Sequence, residues 1–284
     1  MLKTVTVYPP YDWESCLSFF RHHSLPGLEA VDDLGYERVL ETANGLGWFR
    51  VDHSAKDNGL RLSLWNGTEV ELASIIARVR QMFDLDVSPA YLDVHMQRSR
   101  PLSVIWKRNP GIRLARTWSG FETVFAAVLG QVVSVNFGKI LIEELMTLAG
   151  RRVVHPKTAE RIYLFPSARE IANSNLSGIR TSAKRRSTLS VLAAAIDQGT
   201  LVLEANADTV GLKRALRNIG GIGVWTAEYA ALRGFGDDDA FPSTDYVLKQ
   251  ELTRNKDLEI SALRPLRGYA AVALWRHYAL RRRL

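Results

Sequence analysis

The chain has 284 residues, of which 46% are hydrophobic and 24% are charged. These proportions are ordinary for a globular protein and exclude a chain that is disordered throughout. Lysine and arginine together number 37 against 30 aspartate and glutamate residues, so the formal net charge is +7. This excess favours a polyanionic partner such as a nucleic acid, although a basic soluble protein without such a partner fits the charge equally well.

The chain contains one cysteine, Cys16. A single cysteine excludes a disulfide framework, a cysteine-ligated zinc site and an iron–sulfur cluster held by this chain alone. The amino terminus lacks the apolar segment of a signal peptide, and no apolar run approaches the ~18 residues that a membrane-spanning helix needs. We therefore expect a cytosolic protein with no membrane association, in contact with DNA or RNA.

The first ninety or so residues have the pattern of an α+β unit. Residues 4–7 alternate as in a strand, and Asp12 is placed to cap a helix that follows it. A second helix is predicted from about Val70 to Phe83, where apolar residues recur on one face. Asparagine–glycine pairs favour the positive φ angles of tight hairpins, and three such pairs predict hairpins here: Asn44–Gly45, Asn58–Gly59 and Asn66–Gly67.

Strand signals disappear after residues 109–111. Ser119 and Glu122 have the spacing of a capping box and open a long helical stretch. The pattern predicts an α+β amino-terminal domain, an antiparallel sheet with helices, followed by an all-α core. We predict domain limits of 1–95 for the α+β domain, 118–236 for a first helical domain, and 96–117 with 237–284 for a second.

The most informative segment is residues 216–227, which has the pattern of a helix, a glycine-rich hairpin and a second helix. Gly220, Gly221 and Gly223 permit backbone angles that side chains forbid and allow a ligand to approach the main chain closely. The second helix is predicted to begin near Val224, where its free N–H groups form a site for a backbone phosphate. Outward-facing carbonyls could also hold a monovalent cation. The alternative is a simple turn between two packed helices.

The hairpin and the segment that follows it resemble a known family. Residues 219–227 resemble the helix-hairpin-helix of the DNA glycosylase superfamily, and residues 241–250 resemble its aspartate-containing segment. Four further segments resemble the AlkA-type 3-methyladenine DNA glycosylase II branch, so the resemblance covers nearly the whole chain: residues 9–13, 129–134, 225–229 and 267–270. Gly220 stands where this family usually has proline, and we expect a looser turn as the consequence.

The resemblance implies that Asp245 is the catalytic carboxylate. Breaking an N-glycosidic bond develops positive charge on the sugar, which a nearby carboxylate stabilises. The alternative role for Asp245 is that of a helix N-cap alone. Asp237, Asp238 and Asp239 are the local rivals, and three consecutive aspartates predict a solvated loop.

The resemblance also implies an aromatic base pocket. An alkylated purine is already cationic and leaves without a dedicated general acid, so the protein needs electron-rich rings that stack on the everted base. The candidates by family position are Trp225, Tyr229, Tyr246 and Trp275, with Phe19 as a further wall unless its ring belongs to the core. Arg276 stands where the family has an aromatic residue, which leaves lesion preference open.

DNA contacts follow from the same resemblance. Val132 matches the apolar wedge that fills the hole left by the everted base, although a buried core valine is the alternative. The other predicted DNA-binding residues are Gln131, Ile219, Gly220, Gly221, Ile222, Gly223 and Thr226. The backbone carbonyls of Arg217, Ile219 and Ile222 are candidate ligands of a structural monovalent cation, sodium or potassium. The basic runs 184–186 and 281–283 are predicted to add nonspecific affinity only.

The predicted function is that of a monofunctional DNA glycosylase of base excision repair. Trp225 stands where glycosylases that also nick DNA have a lysine, so no Schiff base can form at that position. We expect a monomer that excises alkylated, and by extension deaminated, purines from double-stranded DNA without a required cofactor, in the bacterial cytoplasm and associated with the nucleoid. The alternatives are an oxidised-purine glycosylase/lyase and a helix-hairpin-helix DNA-binding module without catalysis.

Overall fold

The computed structural model describes residues 1–54, 56–203 and 208–282. The first part of the chain forms strands and helices in this order: β1 (Leu2–Thr6), α1 (Trp13–His23), β2 (Glu29–Val31), β3 (Gly35–Thr42), β4 (Gly45–Ser54), β5 (Gly59–Trp65) and α2 (Glu69–Met82). The five strands form one sheet in the order β1-β5-β4-β3-β2, and every pairing is antiparallel. The predicted α+β amino-terminal unit is confirmed.

Local capping explains where the two helices of this unit begin. The Asp12 side chain accepts a hydrogen bond from the Ser15 amide and starts α1, as the sequence predicts. Thr68 and Glu71 form a reciprocal capping box that starts α2. Each cap satisfies amides that have no partner inside the helix. Both helices then pack on the sheet, and Leu17 and Leu72 are buried in its core.

Two of the three predicted asparagine–glycine hairpins are confirmed. Gly45 has φ +102° in the turn between β3 and β4, and Asn58 has φ 44° just before β5. The third prediction is wrong: Asn66 has φ 56°, but the chain turns there into α2 rather than into another strand. The Asn66 side-chain amide donates to the carbonyls of Asn44 and Leu46, which fixes this exit from the sheet.

The remainder of the described chain is mainly helical: α3 (Pro89–Met96), α4 (Arg100–Lys107), α5 (Gly120–Leu129), α6 (Val135–Ala149), β6 (Arg152–Val154), β7 (Arg161–Tyr163), α7 (Ala168–Asn173), α8 (Ala183–Asp197), α9 (Thr209–Arg217), α10 (Val224–Gly234), α11 (Tyr246–Arg254) and α12 (Arg267–Arg281). The helical prediction is confirmed except for β6 and β7, which form a two-stranded antiparallel hairpin. Strands of three residues are too short for a hydrophobic period to reveal them. Arg283, in the predicted basic run 281–283, lies outside the described residues.

The predicted capping box at the start of α5 is only half formed. The Ser119 side chain accepts a hydrogen bond from the Glu122 amide at 3.4 Å, but the Glu122 side chain binds Arg38 on β3 instead of returning to the cap. Arg38 has a side chain that is only 4% exposed and also binds Glu29. A guanidinium buried this deeply needs carboxylate partners, and that requirement draws Glu122 away from the helix end.

Three clusters of buried apolar residues form the interior, and α10 joins two of them. One cluster lies between the sheet, α1 and α2. A second is built around α5, α6 and α8–α10, and a third around α3, α4 and α12. Ala227 and Ala230 of α10 pack in the second cluster, whereas Ala231 and Leu232 pack in the third. Helix α10 is therefore fixed between two cores, which makes its amino-terminal end a rigid platform. The domain limits given above remain a prediction.

Among the described residues, we find no helix that combines the length and the apolar character needed to cross a membrane.

Candidate active site

The glycine-rich segment forms the predicted hairpin between α9, which ends at Arg217, and α10, which begins at Val224. Ile219 and Ile222 are 9% and 5% exposed and anchor the hairpin in the core. The Ile222 amide donates to the Ile219 carbonyl at 3.1 Å and closes the turn. Gly223 is the N-cap of α10, and no side chain caps this end. The amides of the first turn of α10 are therefore available to an external acceptor.

Only one of the three hairpin glycines is required by the packing of the protein itself. Gly221 has φ +96°, and a Cβ atom there would lie 2.1 Å from Oγ1 of Thr188. Gly220 and Gly223 are exposed, and a Cβ at either would meet nothing within 4 Å. The open space over these two glycines, beside an uncapped helix end that carries partial positive charge, has the form of a phosphate site.

We expect Gly223→Ala to weaken binding to damaged and undamaged duplex DNA alike, by about tenfold, because its methyl group occupies the space over the helix end. The loss of glycine at the N-cap costs at most about 1 kcal/mol of stability. Fluorescence anisotropy with labelled duplexes measures affinity, and thermal denaturation measures stability. Gly221→Ala is the contrasting variant, because its strain and clash with Thr188 should lower stability instead. Unchanged DNA affinity in Gly223→Ala would exclude a phosphate at this place.

The loop between α5 and α6 is fastened to the hairpin by Gln131. Its Nε2 donates to the Gly221 carbonyl at 3.0 Å and to Oγ1 of Thr226 at 2.8 Å, and Thr226 is 1% exposed. The backbone carbonyl of Gln131 in turn accepts a hydrogen bond from Nη2 of Arg185 at 2.6 Å. Arg186, also in the predicted basic run, donates to backbone carbonyls of the protein. These contacts hold the two predicted DNA-binding loops in one fixed arrangement.

Val132 projects fully into solvent from this loop. Its relative exposure is 102%, which excludes the alternative of a buried core valine. Its φ is 56°, a left-handed conformation that β-branched residues rarely adopt because of steric strain. Strain of this kind persists only where surrounding contacts impose it, and here the neighbouring Gln131 supplies such contacts.

Asp245 is the N-cap of α11 and also binds two tryptophans. Oδ1 accepts hydrogen bonds from the amides of Val247 at 2.9 Å and Leu248 at 3.1 Å, and from Nε1 of Trp275 at 3.0 Å. Oδ2 accepts from Nε1 of Trp225 at 3.0 Å. The two indoles come from α10 and α12. Both carboxylate oxygens are therefore held by charge-assisted hydrogen bonds from three helices. Capping α11 is thus only part of what Asp245 does.

The same two tryptophans belong to an aromatic cluster beside the carboxylate. Trp225 stacks on Tyr229 with ring centroids 5.0 Å apart at 15°, and Tyr229 meets the edge of Trp275 at 6.4 Å. The structure thus brings together three of the predicted pocket residues and Asp245. Tyr246 does not join them: it is 67% exposed and takes part in none of the ring contacts found among the described residues.

Phe19 reaches the cluster indirectly, through residues that the sequence analysis did not single out. The Arg233 guanidinium lies 4.3 Å from the centroid of the Phe19 ring and 5.3 Å from that of Trp275. His23 stacks on Phe19 at 4.5 Å and lies 6.5 Å from the ring of Tyr229. The sequence could have indicated both residues, because residues four apart lie on the same face of a helix. His23 follows Phe19 by four residues, and Arg233 follows Tyr229 by four.

The amino-acid sequence is similar to those of known proteins. A protein-family model described as the AlkA N-terminal domain matches residues 4–119. The chain is 29% identical over 281 residues to DNA-3-methyladenine glycosylase 2 of Escherichia coli (strain K12), with 96% of each chain covered. Both findings make the chain similar to the AlkA family.

Solved structures share the fold of this chain. A 3-methyladenine DNA-glycosylase from Archaeoglobus fulgidus has a TM-score of 0.78 at 17% identity, with 98% of each chain covered. An 8-oxoguanine glycosylase/lyase from Clostridium acetobutylicum has a TM-score of 0.70 at 16% identity, with 97% of this chain and 98% of that one covered. The predicted fold, an α+β domain followed by a helix-hairpin-helix core, is confirmed.

The structure explains two positions at which the sequence departs from the pattern that it resembles. Arg276 does not contribute its guanidinium to the aromatic cluster: Nε donates to Oδ1 of Asn109 at 2.8 Å, and Nη2 lies 2.7 Å from Oδ2 of Asp12, the cap of α1. Gly220 replaces the usual proline, and its carbonyl accepts from Oγ1 of Thr188 at 2.8 Å. That hydrogen bond restrains a turn that we expected to be looser.

The prediction of a solvated loop at residues 237–239 is wrong. Asp237 pairs with Lys213 at 2.9 Å, Asp238 pairs with Arg116, and Asp239 pairs with Arg267 at 2.8 Å. Burial raises the pKa of Asp238, and Arg116 opposes the shift. The three carboxylates fasten the segment between α10 and Asp245 to other parts of the protein, which fixes where Asp245 lies.

We expect Trp275→Phe to slow base release by about tenfold, because it keeps a ring but removes one N–H that orients the Asp245 carboxylate; a hydrogen bond to a charged group contributes about 1.5–3 kcal/mol. Single-turnover kinetics on a duplex with one damaged purine measures the change. Trp65→Phe is the matched control, since Trp65 is 47% exposed on β5. An equal rate for Trp275→Phe and the wild type would show that the indole N–H has no part in positioning the carboxylate.

Proposed function

We propose that the protein is a monofunctional DNA glycosylase that flips damaged purines, alkylated ones above all, out of duplex DNA and hydrolyses their N-glycosidic bonds. The observation that carries this proposal is the Asp245 carboxylate, held by two indole N–H groups at an aromatic cluster beside a phosphate-type hairpin. The E. coli relative is a DNA-3-methyladenine glycosylase, which supports alkylated purines as the substrate class.

Helix α10 connects the proposed binding site for a DNA phosphate to the proposed base pocket. The amino-terminal end of α10 faces outward at Gly223, and the same helix carries Trp225 and Tyr229 within its first two turns. A phosphate bound at the helix end is then at a fixed distance from the aromatic rings. Val132, exposed on the loop that Gln131 fastens to the hairpin, fills the space left in the duplex.

The proposed chemistry uses the carboxylate alone. The base stacks on the aromatic cluster and its bond to C1′ of the sugar breaks, the bonding electron pair leaving with the base. The sugar develops positive charge, which the Asp245 carboxylate stabilises electrostatically, and water then adds to C1′ and loses a proton. A cationic alkylated purine leaves as a neutral base, so no side chain has to protonate it. A neutral lesion such as hypoxanthine leaves as an anion and takes its proton from water.

Strand cleavage by a Schiff base is not part of this proposal. The second hairpin helix presents Trp225 to Asp245 at 3.0 Å, at the place where the sequence analysis puts the lysine of lyases. Lys249 lies one turn into α11, where it is exposed.

A monovalent cation at the hairpin is a further part of the proposal. The carbonyls of Arg217, Ile219 and Ile222 would hold it, and hard oxygen donors of this kind suit sodium or potassium. Ile219 shares its carbonyl with the Ile222 amide, which a carbonyl with two lone pairs permits. The cation would supply positive charge to the phosphate. We also propose that the protein acts as a monomer and requires no other cofactor.

The proposal is tested with a duplex that contains one hypoxanthine and a label on the damaged strand. We expect an intact strand after incubation and a cleaved strand after hot alkali, because a monofunctional enzyme leaves an abasic site. Trapping with borohydride distinguishes the alternatives: a covalent protein–DNA adduct would favour a glycosylase/lyase. The absence of any alkali-labile site on this duplex and on methylated DNA would favour a binding module without catalysis.

A further inference from the structure

His23 brings a nitrogen heterocycle to the rim of the aromatic cluster from the amino-terminal domain. It is the last residue of α1, and its ring stacks on Phe19 with centroids 4.5 Å apart at 24°. The ring of Tyr229 lies 6.5 Å away at 34°. Because Tyr229 stacks on Trp225 next to Asp245, His23 borders the aromatic cluster from the amino-terminal unit. Part of the residue is exposed and can meet a ligand.

The hydrogen bonding of His23 fixes its tautomer. Nδ1 lies 2.8 Å from the Phe19 carbonyl oxygen, which can only accept, so Nδ1 carries the proton. Desolvation of the His23 ring lowers its pKa; the hydrogen bond to Phe19 opposes this shift, and the charges of Arg233, His22 and Lys139 add to it. The imidazole is therefore neutral at physiological pH, and Nε2 is a lone-pair acceptor.

Apart from the Asp245 carboxylate, which accepts from the two indoles and two backbone amides, the other polar side chains of the cluster do not supply an acceptor-only atom. The indole N–H groups of Trp225 and Trp275 are used on Asp245. The Tyr229 hydroxyl both donates and accepts, so it does not discriminate between donors and acceptors on a base. Arg233 is 5% exposed and donates to the Ala115 carbonyl. Among the described residues, Nε2 of His23 has no hydrogen-bond partner and can only accept.

We propose that His23 is a specificity-determining residue whose Nε2 accepts a hydrogen bond from the everted base. The inference rests on the proposed function and deepens it. The favoured substrates are purines that offer an N–H donor, from a ring nitrogen or an exocyclic amino group. A purine whose donors are blocked leaves the Nε2 lone pair without a hydrogen-bond partner once the base is bound. The unpaired, desolvated acceptor then weakens the binding of that base.

The test compares two lesions in matched duplexes. Hypoxanthine offers an N1–H donor, whereas 1,N6-ethenoadenine has no N–H donor on the base. Single-turnover rates of base release are measured for both lesions with the wild type and with His23→Phe, which keeps an aromatic ring for stacking on Phe19 but removes the acceptor. We expect His23→Phe to lower the ratio of the hypoxanthine rate to the ethenoadenine rate by about tenfold, mainly through slower release of hypoxanthine.

His22→Phe is the matched control. His22 precedes His23 on α1 and makes the same kind of hydrogen bond, from Nδ1 to the Ser18 carbonyl at 2.6 Å. Among the described residues, the ring contacts to Phe19 and Tyr229 are made by His23 and not by His22. We expect its rate ratio to equal that of the wild type. His23→Gln is the second variant, because its side-chain carbonyl is again an acceptor; we expect it to retain part of the hypoxanthine preference even if His23→Phe folds poorly.

The outcomes separate this inference from the proposed function. A wild type that releases both bases, with the same rate ratio in His23→Phe and His23→Gln, overturns the role of His23 and leaves the glycosylase proposal intact. A wild type that releases neither base nor any methylated purine overturns the proposed function and this inference with it. A structural role for His23 would lower both rates equally and leave the ratio unchanged.

Discussion

Asp245→Asn is expected to lower the single-turnover rate of base release on the order of 10³-fold, because it removes the negative charge that faces the developing positive charge on the sugar. Affinity for duplex DNA should stay within about twofold of the wild type, since the hairpin is unchanged. The variant should remain folded: asparagine is also a good N-cap, and its carbonyl can accept from the amides of Val247 and Leu248. Rapid-quench kinetics and anisotropy measure the two quantities.

Asp257→Asn is the control for this change. Asp257 is exposed in the loop after α11, and its replacement alters the net charge of the protein by the same amount. Its rate should equal that of the wild type. If Asp245→Asn released bases as fast as Asp257→Asn, the carboxylate at position 245 would have only the capping role, and the catalytic group would have to lie elsewhere.

Val132→Gly should give the second largest loss, about 10²-fold in the single-turnover rate. The variant removes the apolar side chain that fills the vacated position in the duplex, so the everted state is less populated. The same change relieves the strain of the left-handed backbone at φ 56°, which costs about 1–2 kcal/mol for a residue with a side chain. Glycine also raises the conformational entropy of the unfolded chain, which offsets about 0.4–1 kcal/mol of this gain in stability. Stability should therefore be equal to or above that of the wild type.

Thermal denaturation and kinetics on the same preparation separate these effects. Val135→Gly is the control, because Val135 is also exposed, at 48%, and begins α6 three residues further on. It should retain the wild-type rate. Val132→Leu is expected to act faster than the wild type, since a longer side chain fills the duplex more completely. Equal rates for Val132→Gly and Val135→Gly would exclude Val132 as the wedge.

The features that the sequence predicts correctly are those whose chemistry is local. Glycine spacing in residues 220–223 predicts the hairpin because the φ angle of Gly221 is a property of that residue and its immediate turn. Asp12 predicts the start of α1 for the same reason, since an N-cap binds amides three residues away or fewer. The third asparagine–glycine pair fails because the side chain of Asn66 binds carbonyls 20 and 22 residues earlier in the chain.

Contacts between distant parts of the chain decide the features that the sequence does not reveal. Three adjacent aspartates look solvated until the fold brings basic partners to them, and the Asp238–Arg116 pair spans 122 residues. The exposure of Val132 depends on how the hairpin holds Gln131, 90 residues away from Gly221. For the pocket, the sequence supplies the aromatic residues through family position. Only the structure shows that Tyr246 makes no ring contact with the cluster, whereas His23 and Arg233 do contact it.

The role of Asp245 in base release is tested most directly by chromatography of the free bases that the wild-type protein releases from methylated genomic DNA. We expect free methylated purines to accumulate with time while the DNA strands stay intact until alkali is added. Asp245→Asn, at equal DNA occupancy, should release almost none. If wild-type protein in molar excess left every methylated base attached to the DNA, the protein would not be a glycosylase of alkylated purines. If both proteins released bases equally, Asp245 would not be the catalytic carboxylate.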